Sequence, residues 1–186
     1  MVLIPTASQT VGPFLHIGMN GLNTNEIVGD GERIAITGRI LDGEGQPVPD
    51  AVLEFWQANA HGKYAHPEDQ QNKPIEAGFT GFARIPTDTG GSFCLSTVKP
   101  GPVPARTGGV QAPHILIGVM ARGLLARLVT RIYFSDEAAN AADPVLALVA
   151  AERRATLIAQ RDSGKDRRYA WDIRLRGEGE TVFFEC

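Results

Sequence analysis

The feature that most constrains the fold is a series of short segments in which apolar and polar residues alternate, separated by turn-forming clusters. In residues 33–41, for example, Ile34, Ile36 and Ile40 share one side of an extended chain. A period of two places such side chains on one face of a β-strand. The 186 residues include 21 glycines and 12 prolines, which supply the turns that many short strands need. The pattern predicts a mainly β fold, a β-sandwich.

The strand-like segments recur along most of the chain, and their connections differ. The glycine-rich cluster 42–47 is interpreted as the turn of a β-hairpin that joins the first two strands. Residues 61–86 are polar and mostly irregular, and loops of that length are often functional. Prolines exclude residues 99–104 from the interior of a sheet. Besides 33–41, strands are expected within 51–56, 78–85, 92–98, 113–120, 126–134, 168–176 and 181–184.

One segment late in the chain has helical rather than strand-like character. Asp143 is a good N-cap residue, and Pro144 suits the first helical position. The apolar residues that follow recur at helical spacing, with Leu157 and Ile158 as the last inward positions. We therefore expect a short helical excursion near residues 143–160.

The first 32 residues are expected to form an N-terminal arm, which leaves residues 33–186 as the sandwich domain. The arm contains the apolar residues Phe14 and Ile17, directly after the conformationally restrained pair Gly12-Pro13. An arm this apolar should be tied down, either to its own domain or to a partner.

Charge, hydropathy and cysteine content exclude several classes of function. The formal net charge is −3 and the 18 basic residues are scattered, which argues against nucleic-acid binding. The apolar run before Pro5 is too short for a signal sequence or a membrane span, so no membrane association is expected. Cys94 lies in a strand-like run and is interpreted as a buried reduced thiol, while Cys186 is the last residue. Two cysteines so placed indicate a cytoplasmic protein without disulfides.

The stretch with the most chemical character is 53–66, which reads LEFWQANAHGKYAH. It begins as a strand and breaks at a turn-type cluster around Gly62. Tyr64 and His66 follow directly, and both types of side chain can bind a metal ion. A strand that delivers such side chains into a loop is a good place for a functional site.

Six stretches of the sequence, taken together, carry a family resemblance. In chain order they are SQTVGPF, LEFWQANAHGKYAH, KPGP, APHI, RIYF and GEGETVFFE, and they span nearly the full length. With them the chain resembles the intradiol ring-cleaving dioxygenases, and in particular the non-iron-binding alpha-type chain of members built from two homologous subunits. The resemblance implies a β-sandwich core and assembly with a catalytic beta subunit into an αβ hetero-oligomer. It also implies that the arm, residues 1–32, docks on that partner.

The resemblance implies a metal site that this chain retains only in part. In catalytic chains of the family, Fe(III) is held by two tyrosines and two histidines. Tyr64 and His114 match one of each kind, whereas Val103 and Leu116 stand where the other two ligands stand. We therefore expect no metal in this chain, and Fe(III) to be held by the partner beta subunit. Tyr64 and His114 are interpreted as packed, hydrogen-bonded relics, with Arg106 filling the degenerate pocket.

The activity that the resemblance implies is the opening of 3,4-dihydroxybenzoate by O2 between its two hydroxylated carbons, which yields 3-carboxy-cis,cis-muconate. The reaction belongs to aromatic catabolism through the β-ketoadipate pathway. This chain is expected to be part of the enzyme but inactive alone. Its implied contribution is to scaffold the oligomer and to line the substrate pocket of the partner with Thr10, Gly12, Pro13 and Arg131.

Arg131 is also a candidate on the grounds of its own surroundings. Its strand is apolar around it, so its charge must reach water, a counter-ion or a ligand. Arginine suits the carboxylate of the implied substrate, because its planar guanidinium holds carboxylates in fixed geometry. The alternative is a structural ion pair with an acidic residue of the same chain.

Two other functions stay open from the sequence. The first is a self-sufficient intradiol dioxygenase with a rearranged ligand set, which the iron content of the isolated chain would test. The second is a purely structural β-sandwich module with no share in any active site. An unchanged KM after Arg131→Ala would favour that second possibility.

Overall fold

The computed structural model describes residues 5–12, 14–19, 21–106, 108–164 and 167–185. Strands are the predominant regular structure of the described residues, beside short 3-10 turns and one four-residue helix, α1 (Leu15–Gly18). The strands are β1 (Arg33–Leu41), β2 (Val52–Gln57), β3 (Phe82–Pro86), β4 (Ser92–Val98), β5 (Val103–Pro104), β6 (Val110–Gln111), β7 (His114–Met120), β8 (Leu128–Phe134), β9 (Ile158–Arg161), β10 (Arg168–Ala170) and β11 (Ile173–Arg174).

Nine of the described strands form one continuous sheet that folds over on itself. One half has the order β3-β2-β7-β8, and all neighbours in it are antiparallel. The other half is built on β1, which pairs antiparallel with β4 and parallel with β10 and β11. Strand β9 joins the halves, because it lies parallel to β8 and antiparallel to β10. Strands β5 and β6 form a separate two-stranded ribbon.

The two halves of the sheet enclose a common hydrophobic core. Ile36 of β1, Phe55 of β2 and Ile117 of β7 are almost fully buried in it. Each such side chain stabilises the fold by about 1.5–3 kcal/mol relative to an exposed position. The prediction of a mainly β sandwich is confirmed.

The predicted β-hairpin around residues 42–47 is wrong, because the first two strands do not pair with each other. β1 pairs with β4, β10 and β11, whereas β2 pairs with β3 and β7. The segment between them therefore crosses from one half of the sandwich to the other. Its tight turn is present, since a side-chain oxygen of Asp42 accepts hydrogen bonds from the N–H groups of Glu44 and Gln46. Such a turn closes the loop locally but does not decide which strand becomes the neighbour.

The segment near 143–160 contains short helical turns followed by the start of a strand. Residues 158–161 extend into β9, so the predicted continuation of a helix to residue 160 is wrong. Short 3-10 turns of this kind commonly serve as connectors. The three turns described here span Ala138–Ala142, Leu146–Leu148 and Ala151–Leu157.

Asp143 ties this excursion to the sandwich. One oxygen of its buried carboxylate accepts hydrogen bonds from the N–H groups of Val145 and Leu146, as a capping residue does. The same oxygen accepts a bond from the hydroxyl of Tyr133, on β8. The other oxygen accepts a bond from the N–H of Ala112, at 2.7 Å, so the loop before β7 is fixed as well.

The N-terminal arm contacts the sandwich at several places. The Thr10 hydroxyl oxygen accepts a hydrogen bond from the Gly123 N–H, at 2.7 Å, in the turn between β7 and β8. Farther along, Thr24 exchanges two backbone hydrogen bonds with Arg84, and Ile27 is buried in the core.

Cys94 is exposed, so the predicted buried thiol is wrong. The alternation along β4 buries its neighbours Phe93 and Leu95 and turns Cys94 to solvent. Cys186 lies outside the described residues. Across the described ranges, no helix is long and apolar enough to span a membrane.

Candidate functional site

The loop after β2 carries Tyr64 onto the outer face of the β3-β2-β7-β8 half-sheet. Asn59 organises this loop from a buried position. Its amide oxygen accepts hydrogen bonds from the N–H groups of His61 and Lys63, at 3.0 and 2.9 Å. Its amide nitrogen donates to the Pro74 carbonyl, at 2.9 Å. One side chain thereby fixes both ends of the loop that presents the tyrosine.

Two glycines allow this loop to cross the segment around Pro102. Gly62 has a φ of +75°, and a Cβ on it would lie 1.9 Å from the Pro102 carbonyl oxygen. A Cβ on Gly101 would lie 2.3 Å from the Ala60 carbonyl oxygen. Only glycine fits such close backbone contacts. The crossing brings Tyr64 and Val103 to the same place on the sheet.

Tyr64 packs between an aromatic ring and an imidazole. Its ring stacks on Trp56, with centroids 5.8 Å apart and planes 12° from parallel. Its hydroxyl lies 3.4 Å from Nε2 of His114. Burial raises the pKa of Tyr64 above its ordinary value, despite the opposing charge of Arg131. Tyr64 is therefore a neutral phenol.

His114 is a buried, neutral imidazole with a defined tautomer. Nδ1 lies 2.7 Å from the Ala112 carbonyl oxygen, which can only accept, so Nδ1 carries the proton. Nε2 then presents a lone pair to the Tyr64 hydroxyl. Burial, together with the charge of Arg131, lowers the pKa of His114 to about 4. The imidazole is thus held as a metal-ligating histidine is held, with its second nitrogen bonded to a carbonyl.

The other two candidate positions offer only hydrocarbon. Leu116 shares its strand face with His114, and its cross-strand neighbours are Trp56 and Arg131. Val103 is buried and lines the same cavity as Tyr64. Neither side chain can coordinate a metal or carry a proton.

A cavity of about 730 Å³ opens on this face beside Tyr64. Its walls combine aromatic rings, two apolar residues of the β5 segment and charged groups at the mouth. The lining residues are Trp56, Tyr64, His66, Glu68, Asp69, Gln70, Gln71, Phe82, Val103, Pro104, Arg106 and Arg127.

Arg131 points its charge toward this corner of the sheet. Its Nη1 donates to the side-chain oxygen of Gln111, at 2.6 Å, and its guanidinium lies 6.0 Å from the ring centroid of Phe184. No carboxylate of the described residues pairs with it. The structural ion pair considered above is therefore absent from the described part of the chain.

Thr10 and Gly12 lie elsewhere on the molecule, and Pro13 falls outside the described residues. The Thr10 hydroxyl is bonded to Ala121 and Gly123, at the far end of β7. Arg131 pairs with Leu116, so about 13 Å of β7, from Leu116 to Met120 at about 3.3 Å per residue, lies between Arg131 and the turn that Thr10 contacts. Within one chain the structure therefore brings Tyr64, Val103, His114, Leu116 and Arg131 together, but keeps Thr10 and Gly12 apart from them.

Comparison with known proteins places the chain in a family. A family model described as dioxygenase matches residues 19–177. The chain is 46% identical to the protocatechuate 3,4-dioxygenase alpha chain of Burkholderia cepacia, over 97% of this chain and 96% of that relative. It belongs to the intradiol dioxygenase family. The beta chain from the same organism is 34% identical, over 94% of this chain and 77% of the relative.

A solved intradiol-type fold agrees with this assignment. The dioxygenase domain of a dioxygenase carbohydrate-binding protein fusion from Streptomyces sp. SirexAA-E matches with a TM-score of 0.63 and 26% identity. The match covers 83% of this chain and 88% of that domain. The folded-over sheet described above is therefore shared with other dioxygenases.

Intradiol dioxygenases are generally iron-dependent, and the donor set of this member does not fit that metal. Of the four positions that the resemblance assigns to metal ligands, Tyr64 and His114 offer a phenol and an imidazole, whereas Val103 and Leu116 offer only hydrocarbon. Two neutral donors supply neither the charge nor the coordination number that Fe(III) requires. Among the residues that the structure describes, no group of three or more His, Cys, Asp or Glu could hold a metal ion either.

Sequence reasoning missed one arginine that the dioxygenase fold brings next to Thr10. Arg122 lies between the two residues that bond the Thr10 hydroxyl. Its Nη2 is 3.1 Å from a carboxylate oxygen of Asp50, the one described non-glycine residue with a positive φ, at 60°. The only sequence signal was an Arg-Gly pair after an apolar strand, which is typical of an ordinary turn.

Proposed function

We propose that this chain is the alpha subunit of a protocatechuate 3,4-dioxygenase and works only together with a homologous beta chain. The observation that carries the proposal is similarity to an alpha chain over nearly the full length of both proteins. At the same time, two of the four candidate metal-ligand positions, Val103 and Leu116, carry hydrocarbon side chains. A chain that keeps the fold but not the ligands suits a supporting subunit. The lower identity to a beta chain fits two homologous chains that divide these roles.

In this proposal the complex splits 3,4-dihydroxybenzoate between its two hydroxylated carbons. Both atoms of O2 enter the product, 3-carboxy-cis,cis-muconate, so no further oxidant or reductant is needed. Fe(III) on the beta chain supplies the activation of the catecholate toward O2. The reaction would serve aromatic catabolism through the β-ketoadipate pathway, in the cytoplasm.

The contribution of this chain is a surface at the far end of β7 that faces the site of the beta chain. Thr10 supplies a hydroxyl there. Gly12 has no side chain, and the space where its Cβ would lie is open, with no atom within 4 Å. Its backbone is therefore accessible to a partner. Pro13 would stiffen the same wall. The exposed side chains of Phe14 and Leu125 give the beta chain an apolar area to cover, which supports docking of the arm, residues 1–32, on that partner.

Arg122 is the arginine that we propose for the carboxylate of the substrate, in the place first given to Arg131. The Thr10 bonds fix the turn that carries it, and Asp50 holds its guanidinium at 3.1 Å. An exposed, oriented guanidinium can donate two parallel hydrogen bonds to a carboxylate. Arg131 is turned instead toward Gln111, on the face that holds Tyr64.

Metal analysis of the separated chains tests the division of labour. The chain should co-purify with a neighbouring catalytic chain, and iron should be found with the beta chain. Purified alone, this chain should lack the tyrosinate-to-iron absorption band. Stoichiometric iron and that band in the isolated chain would overturn the proposal in favour of a self-sufficient dioxygenase.

Two matched variants test the substrate-facing surface in the complex. Arg122→Ala should raise KM for 3,4-dihydroxybenzoate by about tenfold or more, since hydrogen bonds to charged groups contribute about 1.5–3 kcal/mol. Arg131→Ala should raise it far less. The reverse order would assign the substrate contact to Arg131. An unchanged KM in both variants would favour a purely structural module.

A further inference from the structure

Asp50 stands across from Arg122 in the extension of a strand pair. In the antiparallel register of β2 and β7, Val52 pairs with Met120. The same register, continued past the ends of both strands, places residue 50 opposite residue 122. A side-chain oxygen of Asp50 accepts a hydrogen bond from Nη2 of Arg122, at 3.1 Å. The connection between β1 and β2 thus brings a carboxylate to the arginine that the proposed function assigns to the substrate.

The backbone around Asp50 holds this carboxylate at a defined place. Its φ of 60° lies in the left-handed region, which aspartate and asparagine tolerate better than most residues. The next residue, Ala51, is fixed on both sides of its peptide. Its N–H donates to the hydroxyl oxygen of Thr87, at 3.0 Å, and its carbonyl oxygen accepts a bond from the Thr87 N–H, at 2.8 Å. Asp50 is therefore anchored to the sandwich directly before β2 begins.

The main chain that carries Arg122 is fixed by a different set of bonds. The Thr10 hydroxyl oxygen accepts a bond from the Gly123 N–H, at 2.7 Å, and lies 3.4 Å from the Ala121 carbonyl oxygen. The N–H of Leu124 donates to that same carbonyl oxygen, at 3.2 Å. These contacts order the backbone on both sides of Arg122 but not the end of its long side chain. That end is ordered by Asp50.

Ordering of the guanidinium matters more for binding than for folding. The side chain of Arg122 is 53% exposed and that of Asp50 is 37% exposed, and ion pairs this exposed contribute little to stability. A free arginine side chain, however, must lose rotamer freedom when it binds a ligand. A carboxylate that already holds the guanidinium reduces this cost. The bond to Asp50 uses one of the five N–H donors of the group, so a guanidinium can serve a second carboxylate as well.

We propose that Asp50 is a positioning residue, which orients the guanidinium of Arg122 toward the carboxylate of 3,4-dihydroxybenzoate. It acts through Arg122 and does not itself touch the substrate. The inference rests on the role proposed for Arg122 and adds the group that sets its orientation.

Two variants of Asp50 in the co-purified αβ complex test this role. Glycine adopts a positive φ without strain, so Asp50→Gly removes the carboxylate and keeps the turn. It should raise KM for 3,4-dihydroxybenzoate by about three- to fivefold with kcat unchanged, the upper range for an exposed ion pair. Asp50→Asn keeps an acceptor oxygen and the backbone preference, and should raise KM by less than about twofold. Neither variant should change the inhibition constant of 1,2-dihydroxybenzene, which has no carboxylate.

A double-mutant cycle separates positioning from a structural effect of the turn. In an Arg122→Ala background, Asp50→Gly should cause no further increase in KM, because the group that it orients is gone. Glu180→Gln is the matched control. It removes the carboxylate of a similarly exposed pair, with Arg153 at 3.3 Å, and should leave KM unchanged.

The positioning role is overturned if Asp50→Gly raises KM by the same factor with and without Arg122. A lower KM in Asp50→Gly would also overturn it, since Asp50 would then compete with the substrate for the guanidinium. An increase in Arg122→Ala without one in Asp50→Gly removes Asp50 alone and leaves the proposed function standing. An unchanged KM in Arg122→Ala would instead remove the proposed role of Arg122, and this inference with it.

Discussion

At the scale of single residues, His114 gives the folded chain a specific response to pH. Burial and the charge of Arg131 lower its pKa from 6.5 to about 4. Between those values the unfolded chain takes up a proton at this imidazole that the folded chain does not. Folding stability therefore falls as the pH drops through this window. Above about pH 7 the imidazole is neutral in both states and contributes no pH dependence.

This residue alone should lower the free energy of unfolding by about 2 kcal/mol between pH 7.5 and pH 5. His114→Gln keeps polar atoms near Tyr64 but does not titrate, so the variant should lack that share of the decrease. Urea unfolding of both proteins at the two pH values measures the difference. The same loss of stability in parent and variant would contradict the assignment of a neutral, buried imidazole.

Residue types predict contacts well where a family motif names them and poorly where only the fold creates them. The Tyr64–His114 contact follows from matched motifs, although 50 positions separate the two residues. The neighbourhood of Thr10 and Arg122 depends on where the N-terminal arm meets the β7–β8 turn. No local pattern encodes that meeting, so Arg122 could not be named from the sequence, and the KM values of Arg122→Ala and Arg131→Ala decide between the two arginines.

At the scale of elements, β7 and the neighbouring segments bring the four candidate metal-ligand positions close together. Residues 114 and 116 point to one face, beside Tyr64 and within the strand pairing that includes Trp56. Val103 lines the same cavity from β5. The four positions that the family resemblance assigns to metal ligands thus lie close together, and two of them carry hydrocarbon side chains.

Restoring both side chains, with Leu116→His and Val103→Tyr, should create a site that binds Fe(III). We expect about one iron per chain and a tyrosinate-to-iron absorption band, because two phenolates and two imidazoles supply the missing charge and ligands. Each single variant should bind much less and serves as the control. Metal analysis after loading with iron decides the outcome. A folded double variant without iron would mean that the backbone positions have drifted.

Strands and turns were predictable from the sequence where they depend on side chains close to one another in the chain. The period-two alternation located β1 and β2, because each has one buried face. The crossing at 42–50 looked like a hairpin, since its turn has the same local hydrogen bonds in either topology. The excursion near 143–160 kept its predicted cap at Asp143, but tertiary packing divided the helix into short turns.

At the scale of the whole molecule, the class of fold was predictable and the order of strands was not. Many short strands with polar turns can bury their apolar faces only against one another, which gives a sandwich. The closure of the sheet depends on parallel pairings of β9 with β8 and of β10 with β1. Those pairs join segments far apart in sequence, and no alternation pattern specifies such partners.

Lys99 fastens this closure at one end of the sandwich. It follows β4, and its ammonium donates to Asp136 and Glu137, after β8, at 3.1 and 2.7 Å. The ammonium also lies over the rings of Phe134 and Tyr169, at 5.3 and 5.7 Å from their centroids. Burial alone would lower its pKa, but the two carboxylates raise the pKa of Lys99 above its ordinary value. One cation thus connects β4 with β8 and β10.

Lys99→Met should therefore destabilise the fold by about 2–4 kcal/mol near pH 7, because it leaves two partly buried carboxylates without their shared cation. Arg161 still pairs with Asp136, at 2.8 Å, so the uncompensated charge falls mainly on Glu137. Adding Glu137→Gln to Lys99→Met should accordingly recover part of the loss, whereas Glu137→Gln alone should destabilise. Urea unfolding of the three variants and the parent completes the cycle. Additive losses in the double variant would show that Lys99 acts by packing on the rings rather than by charge. That result would contradict an electrostatic link between the two halves of the sheet.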